Sequence, residues 1–238
     1  MLSDVDAAAG VSSGLTGRPT RAPPLPEQRS AKPTEDRTTP MEIRPATPAD
    51  LAFLDEIDGT VESERYVHVD RTAAGPDDAD GPPPAAAVGW RLEPRPLREK
   101  LVLPNRIADD LAFVTKQIVT GADDGAAWVA CLREDEPVAI AVAQPRPQYG
   151  TLALLDVRVD YDYRRQGLGQ ALGYAIIQAG RDRELRAVVA ETLTNNDPAQ
   201  QYLAKLGFQL SGMDVRRHTN HDLVKEQATL FWYLEIGE

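Results

Sequence analysis

The chain has 238 residues, 42% hydrophobic and 26% charged, with a net charge of −11, enough for one ordinary domain with tails or two small ones. The acidic balance argues against a nucleic-acid partner, whose phosphates need a basic field, and one cysteine, Cys131, excludes a disulfide framework or a zinc ribbon. With three histidines, no apolar run of the roughly 18 residues a membrane helix needs and no apolar signal core, no metal and no membrane partner are expected, and the expected setting is cytoplasmic.

Residues 1–40 read as a disordered leader. Pro19, Pro23, Pro24, Pro26, Pro33 and Pro40 punctuate Ser, Thr, Ala and Gly, and such a segment buries too little apolar surface to offset its chain entropy. Met41 precedes the first predicted strand and is an alternative start, so the folded domain is expected over 41–238. Met41–Ala46 predicts a strand. Thr47 then offers an N-cap, Pro48 a first helical residue and Asp50 a first-turn carboxylate, with Leu51, Leu54, Ile57 and Val61 as the apolar stripe. Arg65–Asp70 and Gly89–Pro94 alternate as strands around a flexible proline-rich insertion at about 73–87. Ile107, Leu111, Val114 and Ile118 share a helical face.

Trp128–Arg133 and Val138–Gln144 predict a hairpin about the acidic turn Glu134–Glu136. Thr151–Asp160 is a further strand, Gly169–Asp182 a helix, Ala187–Thr192 a strand and Pro198–Leu206 a short helix. Phe208–Val215 and Thr229–Ile236 close the chain as a hairpin. The order β-α-(ββ)-α-β-β-β-α-β-α-β-β is that of a mixed α/β domain with one βαβ crossover.

The informative stretch is Leu152–Gly173, LALLDVRVDYDYRRQGLGQALG. A strand leads into Arg164-Arg165-Gln166-Gly167-Leu168-Gly169, and the glycines open a helix beginning at its free amides. Glycine permits close approach of a ligand to the backbone, a helix start favours anions, and two arginines add charge. The combination points to a pyrophosphate site. A triphosphate P-loop is excluded, for no Gly-Lys-[Ser/Thr] is present. A dinucleotide site stays open on Gly167, Gly169, Gly173 and Glu191, although the arginine-bearing loop is longer than a Rossmann turn and only one crossover helix follows. A plain helix start also stays open.

Arg164-x-x-Gly167-x-Gly169 after an apolar strand, followed by Glu191, Asn196-x-x-Ala199 and Lys205-Leu206-Gly207-Phe208, resembles the GNAT superfamily of acyl-CoA-dependent N-acetyltransferases. The likeness runs from about Met41 to Glu238. Leu155-Asp156-Val157, Gly207–Asp214, Ala228–Leu234, Ile57-Asp58-Gly59 and Tyr66–Val69 are similar to its streptothricin acetyltransferase group. The resemblance implies a mixed, mostly antiparallel sheet flanked by helices, with a splayed central strand pair.

It also implies acetyl-CoA as co-substrate and no metal. Val157, Val159, Arg164, Arg165, Gln166, Gly167, Leu168, Gly169, Gln170 and Asn196 would hold it. The acceptor would be a small-molecule amine on a monomer or homodimer. A protein N-terminus or lysine as acceptor, and a degenerate acyl-CoA-binding module, are the alternatives. Glu191 matches the base of ribosomal-protein N-terminal acetyltransferases, with substrate anchor and structural carboxylate as competing roles. Asp156 is a second candidate, but strand alternation puts it beside Arg158 as an ion pair.

Relatives carry a thiolate-protonating tyrosine where this chain has Leu203; Tyr202, one residue earlier and about 100° around the helix, is the candidate for that catalytic role, with solvent, Tyr161 or Tyr163 as the alternatives. Asn196 equally reads as a helix start before Pro198. His218, His221 and Asp222 fall in a polar loop that a metal would ill suit. Tyr66, Trp90 and Arg91, beside the insertion, are offered as acceptor-pocket residues.

Overall fold

The computed structural model describes residues 41–54, 56–73, 88–105, 112–116, 118, 126–131 and 136–237. The leader, nearly all of the proline-rich insertion, Ile107, Leu111 and residues 132–135 lie outside the described residues. The strands are β1 (Glu42–Pro45), β2 (Val61–Ala73), β3 (Val88–Leu103), β4 (Ala126–Cys131), β5 (Pro137–Arg146), β6 (Thr151–Val159), β7 (Ala187–Leu193), β8 (Gln209–Asp214) and β9 (Thr229–Glu235). The helices are α1 (Leu51–Leu54), α2 (residues 112–116), α3 (Leu168–Asp182) and α4 (Asp197–Lys205).

One seven-stranded sheet has the order β1-β4-β5-β6-β7-β9-β8, and β2 with β3 forms a separate two-stranded ribbon. Among the described strands only β6 and β7 are parallel, joined by the α3 crossover; every other described pair is antiparallel. β5 shows why both faces are covered. Ala139, Ala141 and Ala143 join the cluster under α3 and α4, with Leu152, Leu172, Ile176 and Leu203. Ile140 and Val142 alternate to the opposite face, against Leu54, Ile57, Val114, Ile118 and the buried Cys131. Small residues on one side and branched ones on the other let helices close on both. Gly173 sets the α3–α4 spacing, since a Cβ there would lie 2.5 Å from Leu206 Cδ1 and 2.8 Å from the Tyr202 hydroxyl.

Two elements depart from expectation. The first helix is only a 3₁₀ turn, Pro48–Asp50, running into α1, and Val61 belongs to β2 instead of its apolar stripe. The cause is local: the Asp58 carboxylate accepts from the Thr60 amide (3.0 Å) and hydroxyl (2.6 Å), a turn that diverts the chain before another helical turn forms. The ribbon strands are also longer than predicted, with Pro94 and Pro96 inside β3. A two-stranded ribbon has a free edge on each strand, where proline's missing N–H costs no ladder bond.

The sheet opens at its centre. β6 and β7 pair over four positions, from Thr151↔Ala187 to Leu154↔Ala190. There β6 carries a bulge: Ala143 pairs with Leu154 and Val142 with Asp156, leaving Leu155 surplus. Beyond it β6 follows β5, while Glu191–Leu193 of β7 follow β9.

Candidate active site

A cavity of about 710 Å³ fills that opening and reaches both faces of the sheet. Toward the helices it is lined by Val157, Val159, Arg164, Arg165, Gly169, Asn196, Tyr202 and Leu203. Toward the ribbon it is lined by Gly59, Glu62, Asn105, Asp156, Arg158 and Glu191.

The helix end is made mainly of backbone. Gly167 caps α3 at φ 89° and Arg165 sits at φ 62°, so the loop enters the helix through two left-handed residues. The first bond of α3 runs from the Ala171 amide to the Gly167 carbonyl, so the amides of Leu168, Gly169 and Gln170 precede the helical ladder. The two arginines have different surroundings. Arg164 donates from Nε to the Val159 carbonyl (3.1 Å), reaches the Asp58 carbonyl (3.5 Å) and lies over the Tyr161 ring. It ties the loop to β6, whereas Arg165 is exposed at the cavity. Gln166 is exposed, Leu168 is buried in the core, and Gln170 donates to the Tyr174 hydroxyl. On the β7 side, residues 155–159 of β6 have no strand partner.

α4 supplies the remaining wall. Asn196 is its N-cap, accepting the Ala199 amide at 3.1 Å while lining the cavity. The Tyr202 hydroxyl donates to the Gly169 carbonyl at 2.8 Å, and burial pushes its pKa up. Tyr202 therefore pins α4 to the first turn of α3. Leu203, the next residue, lines the cavity with little exposure.

The opposite end is made of charged side chains. Asp156 and Arg158 pair at 2.7 Å (Oδ2 to Nε), with the arginine only 5% exposed. Gly59 leaves room for that arginine, for a Cβ there would meet Arg158 carbons at 3.2 Å and the Asn105 carbonyl at 2.7 Å. Glu62 pairs with Lys100. Glu191 stands where β7 parts from β6, one-third exposed, with Arg217 Nη2 2.9 and 2.8 Å from its two oxygens. Arg217 lies over the Phe231 ring, 5.4 Å from its centroid.

Arg217 is carried by the β8–β9 loop, and Asp222 shapes that loop. Its carboxylate accepts the amides of His218 and Thr219 (both 2.9 Å) and the Thr219 hydroxyl (2.7 Å). The His218 amide is the chief influence holding its pKa below the ordinary value, followed by the Thr219 hydroxyl, with burial opposing. His218 Nε2 lies 3.3 Å from the Thr229 hydroxyl. Tyr66, Trp90 and Arg91 are not among the cavity's lining residues. Tyr66 instead bonds the Glu226 carboxylate, which raises its pKa, and β2 is held to the end of β7 by the Val67 amide on the Thr194 carbonyl (2.8 Å).

A model of the Acetyltransferase (GNAT) family matches residues 93–208. Residues 93–208 carry a GNAT acetyltransferase domain. Streptothricin acetyltransferase of Escherichia coli is 31% identical to it over 79 residues, 33% of this chain and 45% of that protein. The chain spans about half the length of the curated relatives it matches. Nourseothricin acetyltransferase shares the fold at a TM-score of 0.62 and 19% identity, over 82% of this chain and 98% of that one. A Bacillus anthracis str. Ames structure with acetyl coenzyme A gives 0.59 at 17% identity, over 83% and 98%.

The GNAT fold accounts for the parting of β6 and β7 and for the loop before α3. Glu62, Asn105 and Arg217 of this GNAT domain were not among the sequence candidates. Glu62 and Asn105 lie far from the motif, in the ribbon strand β2 and just after β3. Arg217 stands in the RRHTNHD loop, 26 positions from Glu191 in the chain, and no local motif marks it.

Proposed function

We propose that this domain transfers acetyl from acetyl-CoA to a primary amine of a small cationic molecule, streptothricin-like or aminoglycoside-like, by direct attack. The observation that carries the reading is the cavity itself, which joins an anion-favouring helix start to Glu191 through an opening in the sheet. The α3 amides with Arg165 suit a diphosphate, and the unpaired edge of β6 near Val157 and Val159 suits a pantetheine arm and its thioester carbonyl. The streptothricin acetyltransferase likeness and the neighbour holding acetyl coenzyme A support the donor and the acceptor class.

The chemical obstacle is the acceptor's proton. An alkylammonium of pKa about 10.4 is neutral about once in 2,500 molecules at pH 7, a deficit of about 4.6 kcal/mol. In this reading Glu191, at the opening, receives that proton from the amine, directly or through water. Asp156, held by Arg158, keeps the adjoining strand charged and fixed. The departing thiolate needs no dedicated acid, because a thiol of pKa about 8.5 is mostly protonated at neutral pH.

The test is Glu191→Gln with an amine panel. The expected result is a fall in kcat of about 100-fold or more at pH 7, smaller near the amine's pKa, with coenzyme A affinity unchanged. Unaltered kinetics would remove Glu191 from the chemistry. Turnover of peptides alone would replace the small-molecule acceptor, and coenzyme A binding without transfer to any amine would leave an acyl-CoA-binding module.

A further inference from the structure

A second cavity, of about 250 Å³, adjoins the first and shares Leu154, Leu155, Ala190 and Glu191 with it. Its remaining walls are Ala153, Val189, Arg146 and Arg217. Arg146 ends β5 opposite Thr151, so it lies on the same sheet face as Ala153, two residues along β6. Glu191 thus stands at the border, with the acyl-transfer opening on one side and two guanidinium groups on the other.

The charges there do not balance. Arg217 directs one nitrogen, Nη2, at Glu191, and Arg146 has no ion-pair partner among the described residues. Two arginines against one carboxylate make this pocket positive, inside a chain whose net charge is −11. A guanidinium offers five donors and no acceptor, so a ligand entering this pocket is best matched by an oxygen acceptor, which exchanges water for a charge-assisted bond. A volume of 250 Å³ is that of about eight waters, room for a carboxylate or amide group.

We propose that this pocket is an oxygen-recognising subsite of the acceptor, resting on the reading of the adjoining cavity as the acetyl-transfer site. It takes a carbonyl or carboxylate oxygen a few bonds from the reacting amine, so the acceptor is an aminoacyl compound and not a simple polyamine. Binding exchanges partners: the amine takes Glu191, and the sp² oxygen takes the donors of Arg217 and Arg146. A diamine of the same length supplies no such acceptor and brings its second cation toward two others.

The test uses the full chain saturated with coenzyme A and three ligands of related skeleton: cadaverine, lysinamide and lysine. Calorimetry is expected to show lysinamide or lysine binding at least about tenfold more tightly than cadaverine. Preference for lysine identifies the carboxylate as the group read, and preference for lysinamide identifies the carbonyl. Arg146→Met should reduce lysine and lysinamide to the cadaverine level with coenzyme A affinity intact, and Arg146→Lys, which keeps charge without the planar fork, should fall between. Equal affinities in the wild type, or a preference that survives Arg146→Met, overturns the subsite. Binding preference without acetyl transfer would retain the subsite and remove the acetyltransferase reading; equal transfer to all three would do the reverse.

Discussion

The two ends of the central cavity are built by different means. The end at α3 is backbone: a glycine at φ 89°, helix amides ahead of the first ladder bond and the bare edge of β6. The end at Glu191 is long charged side chains from separate elements, each in an ion pair: Asp156 with Arg158, Glu62 with Lys100, Glu191 with Arg217. Under the proposed reading, backbone geometry suits a donor that never varies. Paired side chains suit an acceptor site, where pairs can be exchanged or replaced without disturbing the fold.

The contrast can be broken most forcefully at Asp156. Asp156→Ala removes the carboxylate 2.7 Å from the buried Arg158 and should destabilise the domain by about 3–5 kcal/mol, measured by chemical denaturation; a loss below about 1 kcal/mol would mean the pair is solvated. At the other end, Gly167→Val must hold a β-branched residue at positive φ. It should cost about 1–2 kcal/mol of stability and at least about tenfold in coenzyme A affinity. A variant that binds normally would show that the loop can be rebuilt without glycine.

Asp222→Ala removes three hydrogen bonds from the loop carrying Arg217. Because the His218 amide and Thr219 hydroxyl hold the folded carboxyl below its ordinary pKa, its contribution is present above the unfolded value and disappears as pH falls through the folded one. The Tm gap between wild type and variant should therefore be open at pH 7 and close under strongly acid conditions. The smallest effect is expected from Tyr202→Phe, which loses one bond to Gly169. It should cost about 1 kcal/mol of stability with kcat unchanged; a large fall in kcat with stability intact would return the hydroxyl to the proton-transfer role.

Legibility followed the same division. The alternating order of elements, the crossover helix and the Gly167–Gly169 loop could be read because each is written in consecutive residues. The Asp156–Arg158 pair was readable too, since alternation along one strand suffices. The short first helix was not, because the apolar stripe through Ile57 and Val61 survives in sequence although α1 stops at Leu54 and the Asp58–Thr60 turn lies between those two residues. Nor did the sequence distinguish the two arginines of the loop. Arg164 is taken by the Val159 carbonyl, which becomes adjacent only after folding. Arg217 is 26 positions from Glu191 in the chain, and no local pattern links them. Tyr66, Trp90 and Arg91 misled for the matching reason, proximity in sequence to a variable insertion.

The passage through the sheet depends on a single surplus residue. With Leu155 excised, β6 would stay in step with β5 past Val142, the two parting strands could zip onward toward Glu191, and the hole would seal. Such a shortened protein would be a sturdier slab, and under the proposed reading it would have no doorway left for the thioester.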